Sequence, residues 1–80
     1  MTAPVYDLAD LGRLLKARRQ SLDLTQARAA SLVGISTRLW SECETGRRTG
    51  VSLDVIIRML HILGLDLQVV SRDGRPVEAP

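Results

Sequence analysis

The 80-residue sequence predicts an all-α fold: a bundle of four helices, or five, followed by one short C-terminal β-strand. Three observations carry this expectation. Thr25 to Gly46 reads TQARAASLVGISTRLWSECETG, two short helical stretches separated by Gly34-Ile35-Ser36. Apolar residues recur at helical spacing on both sides of that unit, in 7–22 and in 53–63. Leu65 to Val70 (LDLQVV) begins by alternating and ends β-branched, which is the pattern of a strand.

Residues 1–6 contain Pro4 and are expected to form a flexible N-terminal arm. The first helix should run from about Asp7 to Leu22, with Leu8, Leu11, Leu14, Leu15, Arg18 and Leu22 near one stripe. Asp7 supplies negative charge at its start and Arg18-Arg19 positive charge towards its end, as the helix dipole favours. Thr25 can cap a second helix, Gln26 to Val33, because its hydroxyl accepts from an unpaired N–H one turn on. Gly34 suits the left-handed residue that stops such a helix. Ser36 then caps a third helix that ends before Gly46. Helix, glycine turn, helix is the helix-turn-helix signature. Thr45 to Val51 (TGRRTGV) is a loop by composition. Ser52 can cap a fourth helix, Leu53 to Leu63, ended by Gly64.

That fourth helix is apolar on more than one face. Leu53, Ile56, Ile57, Leu60 and Leu63 form a core stripe, while Val55, Met59 and Ile62 form a second that a chain this small could hardly cover. The lone strand likewise lacks a partner within the chain. A two-fold dimer resolves both problems, with the strands paired antiparallel and Val55, Met59, Ile62, Leu65, Leu67 and Val69 at the interface. The domain therefore spans 7–70, and residues 71–80, with Asp73-Gly74 and two prolines, form a flexible tail.

Composition narrows the function. One cysteine excludes a disulfide framework and a multi-cysteine zinc site. No stretch reads as a signal peptide or a membrane span, so a cytoplasmic protein is expected. Net charge is only +2, but it is unevenly placed. Leu11 to Gly50 holds eight cations against three acids, a net of +5, and the remainder is net −3. All cations but Lys16 are arginine, whose planar fork suits phosphate and guanine edges. The positive region coincides with the helix-turn-helix, which favours nucleic acid as the partner. An enzyme is not expected: Cys43 and His61 are the only candidate nucleophile and base, and they fall on different faces of different helices. The glycine spacing matches no nucleotide-binding loop, and neither a cofactor nor a metal is expected.

Thr25, Gln26, Ala30, Gly34, Ile35, Ser36, Ser41, Glu44 and Gly46 together resemble the helix-turn-helix family of lambda-type phage repressors and the Cro and XRE regulators. The likeness runs upstream through Leu11-Gly12 and Arg19 and downstream through Leu53 to Gly64. The ending LGLDLQVV (Leu63 to Val70) narrows it towards the HipB-like antitoxins. Three positions depart from the family pattern: Asp23 stands for Gly, Ala29 for Leu, and Cys43 for Ile or Leu. Asp tolerates the left-handed region well. The other two remove core volume and bear on stability rather than fold.

The resemblance implies a lambda-repressor-like bundle, dimerised through its C-terminal strands, that binds double-stranded DNA at a palindromic operator. It also implies that Arg19 pairs with Glu44, that Gln26 braces the first recognition-helix residue, and that the 45–51 loop lies on the DNA backbone. On the third helix Leu39, Trp40 and Cys43 should face inward, leaving Thr37, Arg38, Ser41 and Glu42 to meet the bases of a major groove. Arg38 can grip guanine O6 and N7, Thr37 a thymine methyl, and Glu42 a cytosine amine. Thr25, Gln26 and Ser36 are placed for phosphate, as are Arg47 and Arg48. Likeness to the antitoxin branch implies autoregulation of an operon and binding of a HipA-like kinase toxin. The alternatives are an XRE-type regulator without a toxin, or a protein-binding adaptor with weak DNA binding.

Overall fold

A computed structural model describes residues 2–80; Met1, the first residue of the expected arm, lies outside the described residues. Four helices follow one another: α1 (Leu8–Ser21), α2 (Gln26–Val33), α3 (Thr37–Glu44) and α4 (Leu53–Ile62). No fifth helix forms among the described residues.

Each start is fixed by a side-chain cap. The Asp10 N–H donates to Asp7 Oδ1 (2.8 Å), Arg28 N–H to Thr25 Oγ1 (3.0 Å), Leu39 N–H to Ser36 Oγ (3.0 Å) and Val55 N–H to Ser52 Oγ (3.3 Å). These bonds satisfy amides that the helices themselves leave unpaired. The α2 stop is Gly34 at φ +82°, and Asp23 holds the left-handed conformation (φ +57°) in the turn before α2, as its short polar side chain permits.

The helices close around Leu15, Ala29, Ala30, Val33, Trp40, Cys43, Met59, Leu60 and Leu63. Helix α1 packs on α3, and α2 packs on both α3 and α4. Gly12 lets α1 approach the C-terminal end of α3: a Cβ there would collide with the Glu44 carbonyl and lie 2.6 Å from the Cys43 carbonyl oxygen. Two arginines cap helices other than their own. Arg18 Nε donates to the Leu63 carbonyl (2.8 Å) and Arg58 Nη1 to the Val33 carbonyl (3.0 Å), placing cations at the negative ends of α4 and α2.

The structure corrects the expected division of α4. Met59 is 0% exposed and belongs to the core, so it offers nothing to a dimer interface. Val55 and Ile62, and Leu65 beyond the helix, are half-buried against the same core. Leu53, expected inside, is 62% exposed. Met59 and Leu63 are one turn apart and Leu60 is adjacent, so the inward direction falls between the two expected stripes. With the small Ala29 in the same cluster, an unbranched thioether can be accommodated there.

In the single chain Leu65 to Val69 carries no ladder. A strand exists only by pairing. The chain instead folds back on itself beyond it, with a Val70–Pro76 bridge and the Ser71 N–H donating to the Arg75 carbonyl (2.7 Å). Leu67 and Val69 stay exposed, and with Leu53, Ile56 and Leu60 they line an open groove of about 1100 Å³ beside Val5 and Tyr6.

Candidate nucleic-acid interface

Helix α3 is only two turns long, and every residue on it is committed to one side. Trp40, Cys43 and Glu44 are buried and Leu39 packs against the core. Thr37 and Arg38 are exposed, and Ser41 and Glu42 are half-buried on the same outward side. The four residues expected to meet bases therefore share one face.

The buried side holds an ionised acid. Glu44, 6% exposed, accepts from Arg19 Nε (2.5 Å) and Nη2 (3.0 Å), from Gln26 Nε2 (2.9 Å) and from Trp40 Nε1 (2.5 Å). Arg19 Nη1 also donates to the Leu24 carbonyl (2.8 Å). Burial is the largest single influence on the Glu44 carboxyl and pushes its pKa up. The hydrogen bonds from Arg19, Gln26 and Trp40 outweigh it and leave the pKa below the ordinary value. The hydrogen bond to Glu44 raises the pKa of Arg19 in turn. The charge is thus paired and saturated, which is the condition for burying it. The expected Arg19–Glu44 pair is present. Gln26 differs from expectation: its amide reaches the last turn of α3, at Glu44, rather than the first recognition residue. The Gln26 amide adds a neutral donor to a carboxylate that Arg19 already pairs, and so helps to satisfy its buried oxygens.

Around the outward face, Thr25 and Ser36 sit at the starts of α2 and α3 with their oxygens capping those helices. Arg47 and Arg48 are exposed on the loop after α3. Gly46 (φ +70°) lies against the α1 backbone, where a Cβ would come within 2.9 Å of the Ala9 Cα, and so ties this loop to α1. Two further contacts join the loop to the reading face. Arg38 Nε donates to Glu42 Oε1 (2.9 Å) and Arg48 Nη1 to Glu42 Oε2 (3.2 Å). The Arg38 hydrogen bond is the main reason that the Glu42 carboxyl lies below its ordinary range. The i,i+4 spacing of Arg38 and Glu42 is visible in the sequence; the Arg48 contact, made across a loop, has no sequence signal.

Cys43 is buried beneath α3, where desolvation pushes its thiol pKa up, and His61 is exposed on α4. Among the described residues no cluster of His, Cys, Asp or Glu could hold a metal ion, and no helix is long and apolar enough to cross a membrane.

Comparison with known proteins gives the family. The helix-turn-helix domain family matches residues 10–72. No match was found among curated protein sequences. Of solved structures, the clp gene regulator ClgR from Corynebacterium glutamicum is 30% identical, over 82% of this chain and 85% of that one, with a TM-score of 0.70. The restriction-modification controller protein C.AhdI from Aeromonas hydrophila is 29% identical, over 74% and 88%, with a TM-score of 0.69. A chain of the HipA–HipB–O2–O3 complex is alike in fold, with a TM-score of 0.77 over 89% of this chain and 99% of that one, at 22% identity. With the domain match spanning most of its length, the chain belongs to the helix-turn-helix domain family, a family of DNA-binding transcriptional regulators rather than of enzymes.

Proposed function

We propose that this protein is a cytoplasmic, sequence-specific transcriptional repressor that binds a palindromic operator as a homodimer, one α3 helix in the major groove of each half-site. The observation that carries the reading is the outward face of α3, with Arg38 exposed and Arg47, Arg48 and the starts of α2 and α3 around it. Thr37, Arg38, Ser41 and Glu42 form the face turned to the bases, with Arg38 the residue that grips them; Thr25, Gln26, Ser36, Arg47 and Arg48 serve the backbone. Dimerisation is supported by apolar surface left open on one chain, where Leu53, Leu67 and Val69 flank the groove. Half-sites should then be about one helical turn, or a multiple, apart.

Within that role we favour an antitoxin that represses its own operon and binds a HipA-like kinase toxin. Support comes from the C-terminal LGLDLQVV and from likeness in fold to HipB, which has been solved with HipA and DNA. A regulator without a toxin is the second reading, favoured by the greater identity to ClgR and C.AhdI.

Fluorescence anisotropy across a salt series tests the DNA-binding reading, using a duplex selected from a random pool and a scrambled control. Affinity for the selected duplex should fall with a log–log slope of about −0.9 per phosphate neutralised. Arg47→Ala should weaken both duplexes alike and reduce the slope by about one, whereas Arg38→Ala should narrow the difference between them without abolishing it. Equal, salt-insensitive binding to both duplexes would refute the reading. Co-purification with a HipA-like kinase separates the antitoxin from the stand-alone regulator.

A further inference from the structure

Glu42 would be assigned to a base by its position alone, but its two carboxylate oxygens are already occupied. One accepts from Arg38 Nε on its own helix, the other from Arg48 Nη1 on the following loop. The consequences for the two arginines differ. Arg38 is held through the inner nitrogen of its guanidinium, and its side chain is 90% exposed. Both terminal amino groups are without a protein partner among the described residues, and these are the pair that reaches O6 and N7 of a guanine together. The bond to Glu42 therefore orients the fork without occupying it. Arg48 is held through a terminal nitrogen and is half-exposed, so a phosphate oxygen can replace the carboxylate one charge-assisted bond for another.

We propose that Glu42 is a positioning residue, not a base reader: it aims the Arg38 fork at a guanine and releases Arg48 to a DNA phosphate on docking. The inference rests on the DNA-binding reading of α3. It explains why an acid stands on a surface that must approach polyanionic DNA. An unpaired carboxylate there would repel the backbone, whereas this one is neutralised twice over and brings sequence discrimination in exchange. Arg38 freed from it would retain its charge but lose a single aimed conformation, so its attraction to any duplex would survive while its preference faded.

The test is a double-mutant cycle on Glu42 and Arg38 in the full-length chain, read as the ratio of affinities for the selected and scrambled duplexes. Glu42→Ala should lower that ratio roughly tenfold, the scale of one bidentate base contact, without weakening binding to scrambled DNA. Glu42→Gln keeps an oxygen that can accept from Arg38 Nε and should recover part of the ratio. In an Arg38→Ala background, Glu42→Ala should change the ratio no further. A tenfold loss that persists without Arg38 would show that Glu42 reads a base itself and overturn the proposal. So would an unchanged ratio, or parallel losses on both duplexes. A wild-type protein with no preference would overturn the DNA-binding reading as well. Preference kept by Glu42→Ala would overturn this inference alone. Thermal unfolding of each variant checks that all are folded, since exposed pairs such as these contribute little to stability.

Discussion

Replacing Arg19 by Met would leave the Glu44 carboxylate in place, nearly inaccessible, with only Gln26 and Trp40 to bond it. Two charge-assisted hydrogen bonds and the counter-charge vanish, and the Leu24 carbonyl loses its donor. Breaking a buried pair from one side costs about 3–5 kcal/mol. An 80-residue domain has roughly 4–12 kcal/mol in total, so the variant should be barely folded at pH 7. The pH dependence gives a sharper check. In the wild type the Glu44 pKa lies below its ordinary 4.5, so its stabilisation is present above pH 4.5 and is lost as pH falls through the depressed value. Without Arg19, burial is opposed only by two neutral donors, and the folded-state pKa should rise above 4.5. Acid then favours the folded variant. The stability gap between the two proteins should therefore narrow as pH falls from 7 towards 3. Urea unfolding at fixed protein concentration measures it. A gap below about 1 kcal/mol at pH 7, or one constant across that range, would refute the reasoning. If Arg19→Met does not fold, Gln26→Ala removes one bond to the same charge, costs about 1.5–3 kcal/mol, and should show the same sign.

Gly12→Ala should destabilise by about 1–3 kcal/mol or more, because its Cβ meets two backbone carbonyls of α3 that cannot rotate away; a thermal midpoint within 2 °C or so of wild type would contradict that contact. Ser36→Ala removes the cap of a two-turn helix and should cost about 1 kcal/mol in urea unfolding. Cys43→Leu should stabilise: Cys43 lines a cavity of about 70 Å³ with Leu8, Leu11, Val51 and Ile56, and filling it is worth at most about 1.7 kcal/mol at 24 cal/mol per Å³. Loss of stability instead would mean that the cavity cannot take the added methyl groups in a relaxed rotamer.

What was legible in the sequence was local. Asp7, Thr25, Ser36 and Ser52 mark four helix starts, and Gly34 marks a stop, because caps act within one turn of the residue that makes them. The inward direction of Leu39, Trp40 and Cys43 follows from period alone. What was missed depends on distance through space. Arg18 and Arg58 cap helices 45 and 25 residues away, and nothing in their own neighbourhoods says so. Helix α4 has apolar residues on too many sides for period to choose the inward one, so period places Met59 outward and Leu53 inward, the reverse of the structure. The Arg19–Glu44 pair is legible through family resemblance and not through spacing, and that resemblance implies a different partner for Gln26 from the one it has.

Helix α3 could not persist alone; eight residues are well short of what an isolated helix needs. Its rigidity is borrowed from what grips its inner side. Gly12 admits the α1 backbone against its last turn, Trp40 anchors its middle, and Glu44 ties it to α1 through Arg19 and to α2 through Gln26. The outer side is organised by the same economy: a single carboxylate, Glu42, links the helix to the loop that follows it. Two acids two residues apart thus act in opposite directions. Glu44 fixes where the helix sits in the domain, and Glu42 governs which way its arginine points. Loss of the first should weaken every function of the protein together through unfolding. Loss of the second should leave the fold intact and change only what the protein can tell apart.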